Sequence, residues 1–367
     1  MNQLLLLCVA CSQLAVAQIN RDEEVHFTGP YLYWCDSDTL EMVLRGRFVE
    51  PEKTGIGRRV TIDRVISPAL FRYMGKKPSD FDQESRDLMV SRLLPFLADG
   101  ESRESLKMRV IGRGGAATIV VPKTDAGGTF TLVTRTAGEL NLRDLAASGD
   151  DLQVHAVVPD SDKRRFAVRL AVPRRDAKLL VVSDVDDTVR IAEVLDRPRM
   201  IERVFLRHYE PVPGLADVYR QLAMASGGVH FVSGSPWQIA PVIEEFLTAE
   251  RFPPAVLHCR QMSWDFWNSD PIHTKDFKVA TIKTLLKQFP TPKFLLIGDD
   301  GEHDPEVYTE ICRSDPARVA GVWIRQVRRE PPIERLAEAK RILGAERVLS
   351  FRDAAQLEPV VADIVAP

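Results

Sequence analysis

Short runs of β-branched and aliphatic residues, parted by turn residues, fill the first half of the chain. Residues 109–111, 117–121 and 129–133 are apolar or alternating over strand lengths. Asp125-Ala126-Gly127-Gly128, between the last two, has the composition of a hairpin turn. One stretch breaks the pattern: within residues 84–97, Leu88, Val90, Leu93, Leu94 and Leu97 recur near the helical period. The expectation for residues 18–175 is therefore a β-rich, sandwich-like domain with one helix. Its last strand, residues 166–172, runs into a polar linker at Pro173-Arg174-Arg175-Asp176.

Beyond Lys178 the period changes. Apolar strands at residues 179–182, 229–232, 256–257, 294–297 and 319–324 alternate with helical patterns at 214–224, 238–247, 275–288, 333–343 and 354–364. Ser235 is placed to cap the second of these helices, with Pro236 in its first turn. Strand alternating with helix is the sequence form of a parallel sheet covered on both faces, which makes residues 176–367 an α/β domain.

Composition adds exclusions. The 367 residues suffice for two or three domains, and 45% hydrophobic with 28% charged residues sets aside disordered and collagenous chains. With 49 Lys and Arg against 52 Asp and Glu, the net charge of -3 provides no global basic field. No nucleic-acid partner is expected, and any anionic partner must be met by a local patch. Residues 1–17 carry no charged side chain and end in Ala15-Val16-Ala17 before Gln18, the form of a signal peptide with its cleavage site. Export to the periplasm or beyond follows from that reading. The leader lacks Lys and Arg and is interrupted by Ser12-Gln13, so a cytoplasmic chain with an unprocessed tail is the alternative. Cys8 and Cys11 lie inside the leader, and Cys35, Cys259 and Cys312 have neither zinc-site nor disulfide-framework spacing, leaving buried thiols.

Polar residues gather where a parallel sheet puts its chemistry, after the carboxyl ends of strands. The first apolar strand ends in Asp184-Val185-Asp186-Asp187-Thr188, where two carboxylates two residues apart face the same way. The second ends in Ser233-Gly234-Ser235. After residues 294–297 comes Gly298-Asp299-Asp300-Gly301-Glu302-His303-Asp304-Pro305, a glycine-bounded acidic loop suited to a hard divalent cation or, alternatively, to a solvated helix cap. Asp187 reads as a turn residue. No G-x-S-x-G, P-loop or H-E-x-x-H occurs, and Gly112-Arg113-Gly114-Gly115 lacks the helix that a dinucleotide loop requires.

The order D-x-D-x-T, strand-end Ser, helical Lys278, then G-D-x-x-x-x-D resembles the haloacid dehalogenase superfamily. More narrowly, S-D-V-D-D-T, F-V-S-G-S-P-W-Q and K-F-L-L-I-G-D-D-G-E-H-D-P-E-V-Y are similar to the catalytic domain of the actin-patch-associated phosphatidate phosphatase family and its bacterial relatives, over roughly residues 179–327. The resemblance implies a Rossmann-like sheet with a small cap at residues 189–212, and phosphomonoester hydrolysis through an aspartyl-phosphate. It implies Asp184 as nucleophile and Asp186 as general acid and base. Ser233 would bind a phosphoryl oxygen, and Lys278, in preference to Lys275 or Lys283, would balance charge. Mg²⁺ would be held by Asp184, Asp299, the backbone carbonyl of Asp186, and Asp304 through water. Asp300 stands where the family has Ser, which leaves its part open.

Thr188, Ser233, Gly234, Arg203 and Arg207 are the residues expected at the substrate. The cap carries Arg190, Arg197, Arg199, Arg203 and Arg207 beside Met200, Ile201, Val204, Phe205 and Leu206. Two readings stand: a surface for an anionic lipid headgroup and its acyl chains, with a peripheral membrane contact, or a helix packed apolar side down with its arginines offset by Glu193, Asp196, Glu202 and Glu210. Trp264-Asp265-Phe266-Trp267 is likewise a membrane anchor or ordinary packing. The substrate expected is phosphatidate or a related lipid phosphate, with a soluble phosphomonoester as the competitor. A secreted binding module on a phosphatase-like scaffold is the other class; the partner of its β-rich domain is unknown, and four charged groups kept in this order count against it.

Overall fold

The computed structural model describes residues 19–50, 55–146, 151–261 and 271–365; the leader, with Cys8 and Cys11, and Trp264-Asp265-Phe266-Trp267 lie outside them. The first half runs β1 (Glu24–Phe27), β2 (Tyr31–Trp34), β3 (Leu40–Glu50), α1 (Gly55–Thr61), α2 (Ser67–Met74), α3 (Gln83–Leu93), β4 (Asp99–Gly100), β5 (Lys107–Gly112), β6 (Gly115–Val120), β7 (Thr129–Thr134), β8 (Thr136–Ala137), β9 (Leu140–Asn141), α4 (Leu142–Leu145), β10 (Leu152–Ala156) and β11 (Ala167–Leu170). The long β3 carries β1 and β2 along one edge and β7 and β4 along the other. A second antiparallel sheet has the order β11-β10-β5-β6. Met42, Leu44, Phe48 and Phe130 of the first sheet share one apolar core with Met108, Val110, Leu152 and Val154 of the second, which is what makes the region sandwich-like.

Two expectations fail here. The segment Asp125-Ala126-Gly127-Gly128 is no hairpin: β6 pairs with β5 and β7 with β3, so the turn carries the chain between sheets. Gly128 sits at φ +75°, and a Cβ there would meet the Phe48 carbonyl oxygen at 2.2 Å. The hairpin is instead Gly112-Arg113-Gly114-Gly115, joining β5 and β6. Nor is there one helix. A continuous helical run covers α1, a π-helical turn at Ile62–Ile66 and α2, and then α3 follows. Its apolar side, with Ile62, Leu70, Phe71, Met74, Met89, Leu93 and Phe96, is buried in a core shared with Ile201 and Phe205 of the cap.

The second half continues β12 (Leu179–Ser183), α5 (Arg197–Phe205), α6 (Leu215–Ala225), β13 (Val229–Pro236), α7 (Ala240–Ala249), β14 (Ala255–Arg260), α8 (Pro271–Gln288), β15 (Lys293–Asp299), α9 (Asp304–Ser314), β16 (Val319–Arg325), α10 (Ile333–Leu343), β17 (Val348–Phe351) and α11 (Glu358–Val365). The sheet is all parallel, in the order β14-β13-β12-β15-β16-β17. Successive side chains of a strand face opposite ways. Val181 accordingly joins the core under α6 and α7, while Leu180 and Val182 join the one under α8 and α9. The chain leaves β12 toward β13 on one side and returns to β15 on the other. The carboxyl ends of these strands therefore border a topological switch point, the usual place for a ligand. Strand β13 runs on to Pro236, so Ser235 belongs to the sheet and caps no helix; α7 starts after a tight turn at Trp237–Ile239. Cys35, Cys259 and Cys312 are free thiols, Cys312 buried and the other two partly so.

Candidate active site

Asp184 follows β12 directly, and its backbone N–H donates to the Ile297 carbonyl at 2.9 Å, continuing the ladder to β15. That register sets Asp184 beside the end of β15, where Asp299 stands, and the turn after β15 brings Asp304 back as the first residue of α9. Asp184, Asp299 and Asp304 are all buried, and one carboxylate oxygen from each lies within 4.8 Å of the others. Lys278, on α8 and 2% exposed, reaches in from the side with Nζ 2.7 Å from Asp184 Oδ1 and 2.5 Å from Asp304 Oδ1. Lys275 and Lys283 pair with Glu310 instead, so of the three lysines it is Lys278 that reaches the carboxylates.

Three carboxylates against one ammonium leave the cluster short of positive charge. Burial comes first in raising the Asp184 carboxyl well above its ordinary range, with Asp304 and Asp186 adding to it and Lys278 opposing. Asp299 is raised in the same way, by burial and then by Asp304 and Asp184. Burial works against the Lys278 ammonium, but Asp184 and Asp304 outweigh it and hold its pKa well above the usual lysine value. A buried set of hard oxygen donors with excess negative charge fits a divalent cation such as Mg²⁺.

The carboxylate of Asp186 is not in that group. It turns to the cap stem and to β13: Arg190 Nε donates to Oδ1 at 2.6 Å, Ser235 Oγ to Oδ2 at 2.9 Å, and Ser233 Oγ lies 3.3 Å from the same oxygen. Arg190 is 1% exposed, stacks 3.9 Å from the centre of the Tyr209 ring, and has no hydrogen-bond partner for Nη1. The Arg190 and Ser235 contacts were not expected, because neither motif spacing nor periodicity marks them. Thr188, expected on the substrate, is fully buried with Oγ1 3.2 Å from Asp184 Oδ2 and 3.3 Å from Asp299 Oδ2, so its hydroxyl ties two carboxylates together. Gly234 is required by Thr274, whose Cγ2 would lie 2.7 Å from a Cβ.

Asp187 is the turn: its φ is +54°, and its carboxylate accepts the N–H groups of Ala192, Glu193 and Val194 at 2.7–3.0 Å. Asp300 takes no part in the cluster, since Oδ1 is bound by the N–H groups of Val327 and Arg328. Arg203 and Arg207 do not turn to the carboxylates either. Arg203 pairs with Glu193 and Glu210, and Arg207 with Glu202. With Ile201, Phe205 and Leu206 buried, the cap helix is packed apolar side down, the second of the two readings. Two further residues border the site. Arg260 closes β14 opposite Pro236 and donates to Thr274 Oγ1 at 2.6 Å, and the Glu302 carboxyl is raised by burial, with Asp186 and Asp304 adding to it.

Residues 179–326, from the start of β12 to just past β16, match the family described as phosphatidate phosphatase APP1, catalytic domain. Among curated proteins the chain is similar to an uncharacterized protein of Schizosaccharomyces pombe, 31% identical over 172 residues, 45% of this chain and 28% of that one. It is also similar to phosphatidate phosphatase APP1 of Saccharomyces cerevisiae, 32% identical over 149 residues, 40% of this chain and 25% of the yeast protein. The chain thus spans about a quarter of the length of the curated relatives it matches.

Proposed function

We propose that this chain is a Mg²⁺-dependent phosphatase that hydrolyses a phosphomonoester, with phosphatidate or a related lipid phosphate as substrate, on a haloacid dehalogenase-like α/β domain. The observation that carries the reading is the buried set of Asp184, Asp299 and Asp304 around Lys278 at the carboxyl ends of β12 and β15. The match of residues 179–326 to a phosphatidate phosphatase catalytic domain supports the lipid substrate.

Asp184, at the end of a rigid strand, attacks phosphorus with a carboxylate oxygen; the P–O bond to the leaving group breaks and an acyl phosphate forms on Asp184. Asp186 gives its proton to the departing oxygen, then takes one from the water that cleaves the acyl phosphate. Ser233 binds a phosphoryl oxygen, and Lys278 offsets charge on the nucleophile and on the transferring group. Thr188 keeps Asp184 and Asp299 in register. A cation held by Asp184, Asp299 and Asp304 would neutralise the repulsion between nucleophile and phosphate.

The test is phosphate release from phosphatidate in mixed micelles beside a panel of soluble phosphomonoesters, each with Mg²⁺ and with chelator, for wild type and Asp184→Asn. Metal-dependent release from the lipid, lost in the variant, is the expected result. Release from soluble esters alone would remove the lipid and keep the chemistry. Turnover by Asp184→Asn would exclude the covalent route.

A further inference from the structure

We propose that the exposed face of α1, the π-helical turn and α2 is a docking surface for an anionic lipid bilayer, set beside the cap. The inference rests on the lipid-phosphatase reading, because an enzyme for a bilayer lipid must sit at the interface where that lipid is found. The helical run buries Ile62, Leu70, Phe71 and Met74 against the cap core and turns the opposite side outward. Residues four apart share a helix face. One outer row is Val60, Arg64, Pro68 and Arg72, and the next is Thr61, Val65, Ala69 and Tyr73, with Lys76 and Lys77 following past the helix end at Gly75; all are exposed. Val65 is 63% and Tyr73 52% exposed, among the most exposed large apolar side chains described.

Charge identifies the occupant. Between residues 59 and 77 stand Arg59, Arg64, Arg72, Lys76 and Lys77 against the single carboxylate of Asp63, in a chain whose net charge is -3. None of these five cations makes an ion pair among the described residues, whereas Arg199 and Arg203 on the neighbouring cap helix and Arg207 just past its end are each matched to an acid. Unmatched cations interleaved with exposed Val and Tyr on a helix suit the headgroup boundary of an anionic leaflet: cations at the phosphates, apolar tips below them. A folded protein partner would have to bring carboxylates matched in position to these cations, whereas an anionic leaflet presents phosphates at any spacing. Between α2 and α5 lies a cleft of about 280 Å³ lined by Met74, Lys76, Asp196, Pro198, Arg199 and Glu202, so the face adjoins the cap whose stem carries Arg190 and Asp186.

The test uses the full chain and phosphatidylcholine vesicles with or without phosphatidylglycerol, an anionic lipid that carries no phosphomonoester. Wild type should sediment with the anionic vesicles, release with rising salt, and ignore the neutral ones. Arg64→Glu with Arg72→Glu should weaken that binding at least about tenfold and leave turnover of a soluble phosphomonoester unchanged. Val65→Ser with Tyr73→Ser should weaken it less. Should the first pair fail to fold, Lys76→Glu with Lys77→Glu, beyond the helix end, repeats the reversal. Equal binding by the reversed and native chains, or indifference of the native chain to phosphatidylglycerol, overturns the surface. Failure of the phosphatase reading would show separately, as no phosphate released from any ester by a chain that still binds vesicles.

Discussion

Asp186 is held by three side chains that the chain supplies from two directions, Arg190 from the cap stem and Ser233 and Ser235 from β13. In the proposed chemistry Asp186 is the proton donor, useful only if its oxygen is aimed at the leaving group, which would make Arg190 a positioning residue for that step. Arg190→Met should therefore lower turnover of an alkyl phosphate about 100-fold but that of a nitrophenyl phosphate, whose leaving oxygen needs no proton, only severalfold. Arg190→Lys should recover part of the loss. Equal losses on both esters in steady-state kinetics would reduce Arg190 to a packing role. The carboxylate cluster makes a separate prediction through stability. Lys278→Met leaves three buried carboxylates with no ammonium and should cost about 3–5 kcal/mol. Asp184→Asn removes one of three repelling charges and should raise the unfolding temperature in chelator. Thermal denaturation with and without Mg²⁺ checks both: added metal should raise the wild-type midpoint and do so less for Asp184→Asn. A stabilised Lys278→Met protein would contradict the charge balance.

Between elements, the β-rich half meets the parallel sheet at β14. Gly29 approaches so closely that a Cβ would lie 1.9 Å from the Leu257 carbonyl oxygen. Beside it, Arg45 Nη2 on β3 donates to His258 Nδ1 at 3.1 Å, which leaves His258 Nε2 to donate to His230 Nδ1 at 3.0 Å. Both imidazoles are buried against Tyr31, His230 against Phe289 as well, and must stay neutral. Burial, and then Arg45, pushes His230 down to about 3 from an ordinary 6.5, and His258 is lowered by the same causes. Above pH 6.5 both folded and unfolded imidazoles are neutral and stability is complete. As pH falls from 6.5 toward 3 only the unfolded chain takes up these protons, so stability falls by about 1.4 kcal/mol per pH unit for each ring. A melting temperature flat from pH 7 to 4 would refute the neutral pair. Of the strands that form this contact, β13 and β14 were legible as short, bounded apolar runs, whereas β2 and β3 were not marked, because Arg45 and Arg47 interrupt the apolar pattern of β3. The helix over residues 55–74 was not legible: Val60, Thr61, Ile62, Val65 and Ile66 are β-branched, and only burial of Ile62, Leu70 and Phe71 on the cap makes it a helix. Strand β17 was not legible because the exposed Ser350 breaks its apolar run between Leu349 and Phe351. In the site, Asp184, Asp299 and Asp304 were legible because each sits at a strand or helix end in a local motif. Ser235 and Arg190 were not, since their roles exist only once β13 and the cap stem meet at Asp186.

Across the whole molecule, a line of contacts joins the first half of the sequence to the candidate chemistry in the second. Arg92, on α3 and 5% exposed, donates to the carbonyls of Val204 at 2.8 Å and Arg207 at 2.6 Å, so it satisfies the open carboxyl end of the cap helix. Its guanidinium also lies 4.5 Å from the centre of the Tyr209 ring, and Arg190 lies 3.9 Å from the same ring. Arg92, Tyr209, Arg190 and Asp186 are thus successive contacts, and the helices of residues 55–97 form part of the cap's own core. A chain of residues 176–367 would carry every motif residue and still lose this support: Ile201 and Phe205 would face water, α5 would lose its cap, and one face of Tyr209 would open. Such a chain should unfold at a lower temperature and bind an apolar dye. If it turns over, it should show the leaving-group pattern of Arg190→Met in milder form, because the cap stem that aims Asp186 is loosened while Asp184, Asp299, Asp304 and Lys278 keep their own contacts. Arg92→Met in the full chain should move the same two quantities in the same direction by less. A fragment equal to the full chain in melting temperature and in its ratio of alkyl to nitrophenyl turnover would mean that the two halves are energetically independent and that the helices over the cap serve only the surface they expose.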